Sequence, residues 1–483
     1  MRRGKQGNQP IMGNSTMKRL IAAALGVVLG ACFILLCPDV GLGEQGVRCL
    51  GILLGAVVWW VGGVLPSYGT AIVMVVMFAI VAGVDSRVAL SGFVFDTWWL
   101  LVAAFGLGAG MKRSGLLRRM AFAIVRKFPN TFAAQAGGLV AAGTLVGPLV
   151  PSMAAKVSML TPLAQGIGDA LGYERYGKPM QGLFLAMFTG VRNVAPTVLS
   201  ASVIGYCLLG LLPADVQAQF DLLHWLLAAL PWFALVTVVN YLAIVSIYRP
   251  KPSDGEAARA QEPRADDESA SVPASMTRHE KQMCVIIVAT VALWIAEPLH
   301  HVPAHIVALA AFAVTVACGI LGRDGFRNDI SWEALVFVGI AMGLSNVFAT
   351  AGIQDWIVAA AGPAFEAVAG NPYLFVVGAA AITLVLRFVI VSEMAYLNIV
   401  MVFLVPLCVG AGINPWVVGF AMYAVITPWF ALYQSATYLA AFYSVDGRMV
   451  RHADMAKYCV LYTLICIAGL VASVPYWQWM GLL

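Results

Sequence analysis

Charge is what this chain is short of. Only 11% of its 483 residues are charged and 61% are hydrophobic, whereas a soluble domain carries roughly a quarter charged residues. That shortage excludes a soluble globular domain. A net charge of +5 spread this thinly is no nucleic-acid footprint, so no nucleic-acid partner is expected. Cysteine comes without a pattern: there are nine, no CxxC pair, and Cys32, Cys207, Cys318 and Cys466 sit inside apolar runs. This argues against a disulfide framework and against a metal centre, and no cofactor is expected. Also missing are HExxH, GxSxG and paired aspartates within the apolar runs, so neither an enzyme nor a catalytic residue is indicated. His300, His301 and His305 lie by Pro298 and Pro303 in an outer loop with no cysteine nearby, and we read them as solvated.

What is there is apolar sequence in long blocks, each near the roughly 20 residues that cross about 30 Å of hydrocarbon as a helix. Spans are expected near 18–37, 47–65, 69–84, 95–111, 179–213, 222–248, 282–298, 303–321, 331–352, 413–446 and 456–477. The first follows a basic start, MRRGKQ, but ends in CPDVG without a small-x-small site, so it reads as a retained span. Two further apolar regions, 132–170 and 370–407, are too long for one crossing and are interrupted midway by small and polar residues. Both are expected to be re-entrant hairpins, since irregular backbone at membrane depth is tolerated only where it lines a cavity or is buried in protein.

Charge placement tests that count. With the N-terminus inside, the inner loops hold Lys112, Arg113, Arg118, Arg119, Arg126, Lys127, Arg249, Lys251, Arg323, Arg327, Arg448, Arg451 and Lys457. The loops assigned outside (38–46, 214–221, 299–302, 353–369 and 408–412) hold no Lys or Arg. The positive-inside rule therefore supports about 11 transmembrane helices in a multi-pass protein of the cell's inner (plasma) membrane, N-terminus cytoplasmic and C-terminus outside. Residues 111–128, with basic and apolar faces at helical spacing, predict a helix lying along the cytoplasmic surface. Residues 250–280, rich in Ala, Pro, Ser and both charge signs, read as a flexible cytoplasmic linker.

The halves echo each other. WWLLVAAFGLGAGMKRSGL before the first hairpin resembles WEALVFVGIAMGLSNVFATAGI before the second. Trp99 and Trp332 are offset by 332 − 99 = 233, Gly115 and Gly352 by 352 − 115 = 237, and Ser152 and Ser392 by 392 − 152 = 240. Each hairpin is followed by an interrupted span, FTGVRNVAPTVLSAS (188–202) and ITPWFALYQSATYLAAF (426–442). An odd number of crossings separates equivalent elements, so the copies must be inverted. The organisation is thus 1–46 as N-terminal segment and first helix, 47–249 as first repeat, 250–280 as linker and 281–483 as second repeat. Inverted repeats with broken helices point to a secondary transporter whose substrate sits at the repeat interface near the midplane.

The tips and broken spans should converge, which makes Ser152, Met153, Ala154, Lys156, Arg192, Asn193, Pro196, Thr197, Ser392, Glu393, Met394, Tyr396, Ser435 and Thr437 the candidate substrate-binding residues. Helix N-termini at the tips favour an anion. Lys156 and Arg192 add formal positive charge, and a charge kept inside the bilayer, at a cost of at least about 2.5 kcal/mol, has a partner or a function. The partner of Lys156 could be a substrate carboxylate or Glu393. Arg387, in the apolar arm of the second hairpin, is expected to reach the outer interface.

Several stretches then resemble the divalent anion:sodium symporter family of di- and tricarboxylate transporters. They include LSGFVFDTWWLLVAAFGLGAGMKRSGLLRRM, LVPSMAAKVSMLTPL, LWIAEPLHHVPAHIVALAAFAVTVACGILGRDGF and the terminal SVPYWQWMGLL. The resemblance implies an all-α polytopic homodimer of scaffold and transport domains working as an elevator. In typical members each tip reads Ser-Asn-Thr and nearby loops hold sodium. Here Met153-Ala154 and Glu393-Met394 follow the serines, which subtracts oxygens from the first tip. In the exchanger branch the first tip continues Ser-Asn-Thr-Ala-Arg, and Lys156 falls on that arginine, while Tyr396 stands where the second tip has a histidine. In the first broken span Thr189, Gly190 and Pro196 match the family pattern and Thr197 replaces its Asn. The expected function is transport of small organic anions, C4/C5 dicarboxylates first, by sodium-independent exchange or proton-linked movement. The alternatives are another anion (sulfonate, aromatic acid or tricarboxylate) and sodium-coupled symport.

Overall fold

A computed structural model describes residues 12–37, 41–250 and 275–483, and the linker expectation at 250–280 falls mostly outside them. Among the described residues there are helices and no strands. Counting helices of eight residues or more, α1 is Met12–Leu36, α2 Glu44–Gly62, α3 Ser67–Ile80, α4 Asp96–Ser114 and α5 Leu116–Val125. The first hairpin is α6 (Phe132–Val146) and α7 (Met153–Ala170), and the first broken span is α8 (Lys178–Thr197) and α9 (Val203–Leu211). After α10 (Leu222–Ile247), the second half runs α11 (Arg278–Ile295), α12 (Ala304–Ala317), α13 (Trp332–Thr350) and α14 (Ile353–Ala369). It ends with the second hairpin, α15 (Pro372–Leu386) and α16 (Glu393–Gly410), the broken span α17 (Pro415–Val425) and α18 (Ala436–Tyr443), and α19 (His452–Trp479).

Local chemistry sets these boundaries. Thr131, Asp221, Asn371 and Asn414 accept backbone N–H bonds at the starts of α6, α10, α15 and α17, which satisfies groups no helix can satisfy internally. Thr277 and Glu280 close a capping box at the start of α11. Gly115 and Gly352 both take positive φ, +84° and +69°, a conformation only glycine enters without strain. Gly115 lets the chain bend 71° from α4 into α5. The apolar face of α5 (Leu116, Leu117, Ala121, Val125) is buried while Arg118 points outward, the amphipathic arrangement the sequence predicts.

Among the described residues seven unbroken helices are long and apolar enough to cross a membrane, or nine if each of two bent pairs is one span. Of the eleven expected crossings, those at α3, α12 and α17 hold helices of only 10–17 residues, those at α8 and α11 are not among the qualifying helices, and α4 qualifies only with α5 as a bent pair. Length and apolarity also do not separate a crossing from a hairpin arm: Phe132–Leu149 and Glu393–Gly410 both qualify as spans.

The two halves pack in the same way. The first arms α6 and α15 lie on α8 and α17, the first halves of the broken spans. The second arms cross over to the other repeat, α7 onto α18 and α16 onto α9. Around this core, α10 and α19 pack on each other, and α4 packs on α12. Repeats meet closely at Gly92, where an added Cβ would lie 2.0 Å from the Gly339 carbonyl, and Trp98 Nε1 donates to Leu335 O at 2.9 Å.

Candidate functional site

Both hairpin tips are built alike. Ser152 Oγ accepts from Ala155 N at 3.4 Å and Ser392 Oγ from Ala395 N at 3.2 Å, so each tip serine caps its second arm. The breaks in the spans repeat the device, with Ser202 capping α9 at Ile204 N (3.2 Å) and Ser435 capping α18 at Tyr438 N (3.1 Å). Each tip thereby faces a break, and what fills the gap is cationic.

At the first tip Lys156 is fully buried. Its Nζ donates to Ala201 O at 2.6 Å and Gly147 O at 3.2 Å, tying the end of the first arm to the break between α8 and α9. Its hydrogen-bond partners here are those carbonyls and not the Glu393 carboxylate. At the second tip the cation is Arg387, also fully buried. Nε donates to Ile426 O (2.7 Å), Nη2 to Gln434 O (2.6 Å), and Nη1 to Ile390 O (2.5 Å) and Val391 O (2.6 Å). The expectation that Arg387 reaches the outer interface is therefore overturned. Carbonyls at helix ends and breaks need donors, and a five-donor guanidinium meets four of them at once. The repeat offset could have found it: 387 − 240 = 147, the residue whose carbonyl Lys156 bonds.

Arg192 is the third buried cation, 2% exposed. Its Nη2 donates to Ala424 O at 3.1 Å and reaches Tyr423 O at 3.5 Å, at the C-terminal end of α17. In return Tyr423 Oη donates to Ala195 O at 3.0 Å, so the two broken helices brace each other. Glu393 is partly buried and comes within 4.0 Å of Arg387 Nη2. Arg387 and Arg192 are the cations whose fields reach it.

Other candidates face elsewhere. Asn193 donates to Thr237 Oγ1 (3.2 Å) and accepts from Tyr462 Oη (2.6 Å), which fastens α8 to α10 and α19. Pro196 O accepts from Trp225 Nε1 at 2.8 Å, and Thr197 Oγ1 donates back to Asn193 O at 2.8 Å. Tyr396 is fully buried and its Oη donates to Thr383 Oγ1 at 2.9 Å, bridging the arms of the second hairpin. Met153 and Met394 are half-buried and Ala154 is exposed, all in first turns at the tips, while Thr437 is buried in the first turn of α18. Ser392 Oγ also lies 3.4 Å from Ser67 Oγ at the start of α3.

Inverted helical halves, paired tips and fixed cations at the breaks define a polytopic all-α membrane transporter. The chain belongs to the family described as sodium:sulfate symporter transmembrane region, whose model matches residues 17–483. Relatives include the inner membrane protein YbhI of Escherichia coli (23% identity, 71% of this chain and 72% of that one). They also include dicarboxylate transporter 2 of spinach chloroplasts (24%, 70% and 61%) and the L-tartrate/succinate antiporter of E. coli (23%, 56% and 55%). Among solved structures the Alcanivorax borkumensis YdaH transporter shares the fold, with a TM-score of 0.58 at 16% identity over 97% of this chain and 98% of that one. The protein is thus a multi-pass transporter of small anions and not an enzyme.

Proposed function

We propose that this protein moves C4/C5 dicarboxylates without sodium, by exchange or with a proton, and that Lys156 and Arg387 supply the positive charge sodium supplies in other members. The observation that carries the reading is the ammonium of Lys156 held between Gly147 O and Ala201 O at 3.2 and 2.6 Å. Sodium needs several hard oxygen ligands, and carbonyls at this break are already engaged by a cation that cannot leave. With Lys156 ionised, the buried groups at the tips and breaks sum to 3 − 1 = +2 (Lys156, Arg192 and Arg387 against Glu393), which complements a dianion. The names of the spinach and E. coli relatives agree with that substrate class.

An elevator motion of scaffold and transport domains suits the bonding pattern. Hairpins and broken spans are tied together by Lys156, Arg387 and Arg192, whereas Ser67–Ser392 joins them to α3 through one long contact. Such a unit can shift as one body. Assembly as a homodimer in the plasma membrane, N-terminus cytoplasmic and C-terminus outside, completes the proposal. The domains divide as 47–249 and 281–483, and there is no resident cofactor.

The test is uptake into proteoliposomes preloaded with a dicarboxylate. Labelled succinate should enter equally well with sodium or choline outside, and Lys156→Ala should abolish entry. Uptake that needs a sodium gradient and survives Lys156→Ala would overturn the proposal.

A further inference from the structure

Three buried cations stand at the tips and breaks, and they differ in how completely their donors are used. Arg387 spends all three nitrogens on backbone carbonyls. Lys156 gives its ammonium to two carbonyls of the protein. Arg192 does not fit that pattern. Its Nη2 alone is engaged, by the end of α17, while Nε and Nη1 are buried without a hydrogen-bond partner among the described residues.

A buried donor left unpaired is expensive, and more so on a charged group. Capping α17 accounts for one nitrogen and leaves the other two unexplained. The second broken span carries a comparable orphan: Gln434 is 1% exposed and its Nε2 has no partner among the described residues. The orientation of that amide is fixed because its Oε1 accepts from Ala431 N at 2.8 Å. Both broken spans thus present unpaired N–H donors among the described residues, and the one other orphan there, the Tyr206 hydroxyl, can donate as well. A ligand that satisfies them must be rich in acceptor oxygens, and next to a guanidinium it is an anion.

We infer that Arg192 is the residue that grips one carboxylate of the substrate, with Gln434 as a neutral donor on the opposite broken span, while Lys156 and Arg387 hold the architecture. This rests on the anion-transport reading above and assigns its specificity. The distinction is donor use: Arg387 gives four of its five hydrogens and Lys156 two of its three to backbone carbonyls and so chiefly add field, whereas Arg192 keeps its Nε and Nη1 hydrogens to spare and adds a bond.

The experiment is thermal stabilisation of the purified protein by a panel of probes: succinate, its monomethyl ester, sulfate, methanesulfonate and benzoate. It is run on wild type, Arg192→Lys and Arg192→Gln, with unliganded melting temperature as the folding control. Arg192→Lys keeps a charge that can still cap Ala424 O, so it carries the test if the Gln variant fails to fold. Losing the extra donors should weaken succinate binding by about tenfold to a hundredfold, the worth of one hydrogen bond to a charged group. It should also compress the preference of wild type for succinate over its monoester, which a purely structural role would leave unchanged. Succinate binding within twofold of wild type in Arg192→Lys overturns the assignment and leaves the dicarboxylate reading standing. Dependence on Arg192 for methanesulfonate or sulfate instead leaves Arg192 as the anion grip but overturns the carboxylate as what it grips, and sinks the dicarboxylate reading. If no probe stabilises wild type, both fall.

Discussion

At the first tip a lysine on the second arm bonds two carbonyls; at the second tip an arginine on the first arm bonds four. The two cages occupy matching places in the repeat, each between a tip and a broken span, yet they are filled from opposite arms by different residue types. Symmetry of the backbone creates the same need twice, a cluster of carbonyls at a helix end and a helix break. The need is for a donor cation, and which side chain delivers it is free. Lysine is a compact point charge that suits a two-carbonyl gap, and arginine is a planar fork that spans a wider one. Tyr396, which sits 240 positions after Lys156, has a different task, holding the hairpin arms together through Thr383.

Removing the larger filling should do the most harm. Arg387→Met leaves four carbonyls without their donor, and breaking a buried charged network costs about 3–5 kcal/mol. We expect collapse of folded yield and a melting temperature lowered well beyond that of any other variant here, with Arg387→Lys intermediate. An Arg387→Met protein that melts like wild type would break the comparison outright. Lys156→Ala comes next, with a loss of about 2–3 kcal/mol from two charge-assisted bonds, read by thermal unfolding in detergent. If it proves more damaging than Arg387→Met, counting carbonyls is the wrong way to rank the cages.

Glu393→Gln sharpens the comparison from the charge side. It lifts the formal sum at the centre from +2 to +3, so tricarboxylates should gain on dicarboxylates by about threefold to tenfold, a modest Coulomb effect in a partly hydrated site. Competition against labelled succinate measures this, and an unchanged ratio would show that Glu393 is remote from the substrate.

The smallest effect belongs to the ion-pair clamp between the end of α4 and the residues just before α13. There Arg113 bonds Asp329 and Asp324 (2.5 Å to the latter), and Lys112 reaches Asp329 at 3.1 Å. Burial would raise the Asp329 carboxyl, but Arg113 and Lys112 outweigh it and hold it below the usual range; Arg113 does the same for Asp324. Carboxyls depressed in the folded state stabilise it above their unfolded pKa, near 3.8, and that contribution fades as pH falls through the folded value. Melting temperature should therefore drop on acidification below about pH 4, and Arg113→Ala should flatten that slope. An acid slope indifferent to Arg113 would remove the clamp from the account.

Much of this was legible in the chain. Apolar blocks, the tip serines, Gly115 and Gly352, and the two interrupted spans all fall where the letters put them, because each reflects a local rule of hydropathy, capping or backbone freedom. Lys156 was legible as an anomaly, a cation in an apolar run. Its partners were not, since Ala201 is 45 residues away and any backbone carbonyl looks alike in sequence. Arg387 was misread for the same reason: an arginine ending an apolar arm has the pattern of an interfacial anchor, and only packing against residues 426 and 434 makes it a core cation.

The sequence by itself determined that the protein is membrane-spanning, helical and internally duplicated, because hydrophobic length, charge placement and capping act over a few residues. Tertiary structure alone decided which cation satisfies which carbonyl, that Asn193 and Tyr396 brace helices, and that Arg192 keeps donors to spare. Those outcomes depend on which backbone ends meet in space, and buried donors and acceptors can be matched only once they do.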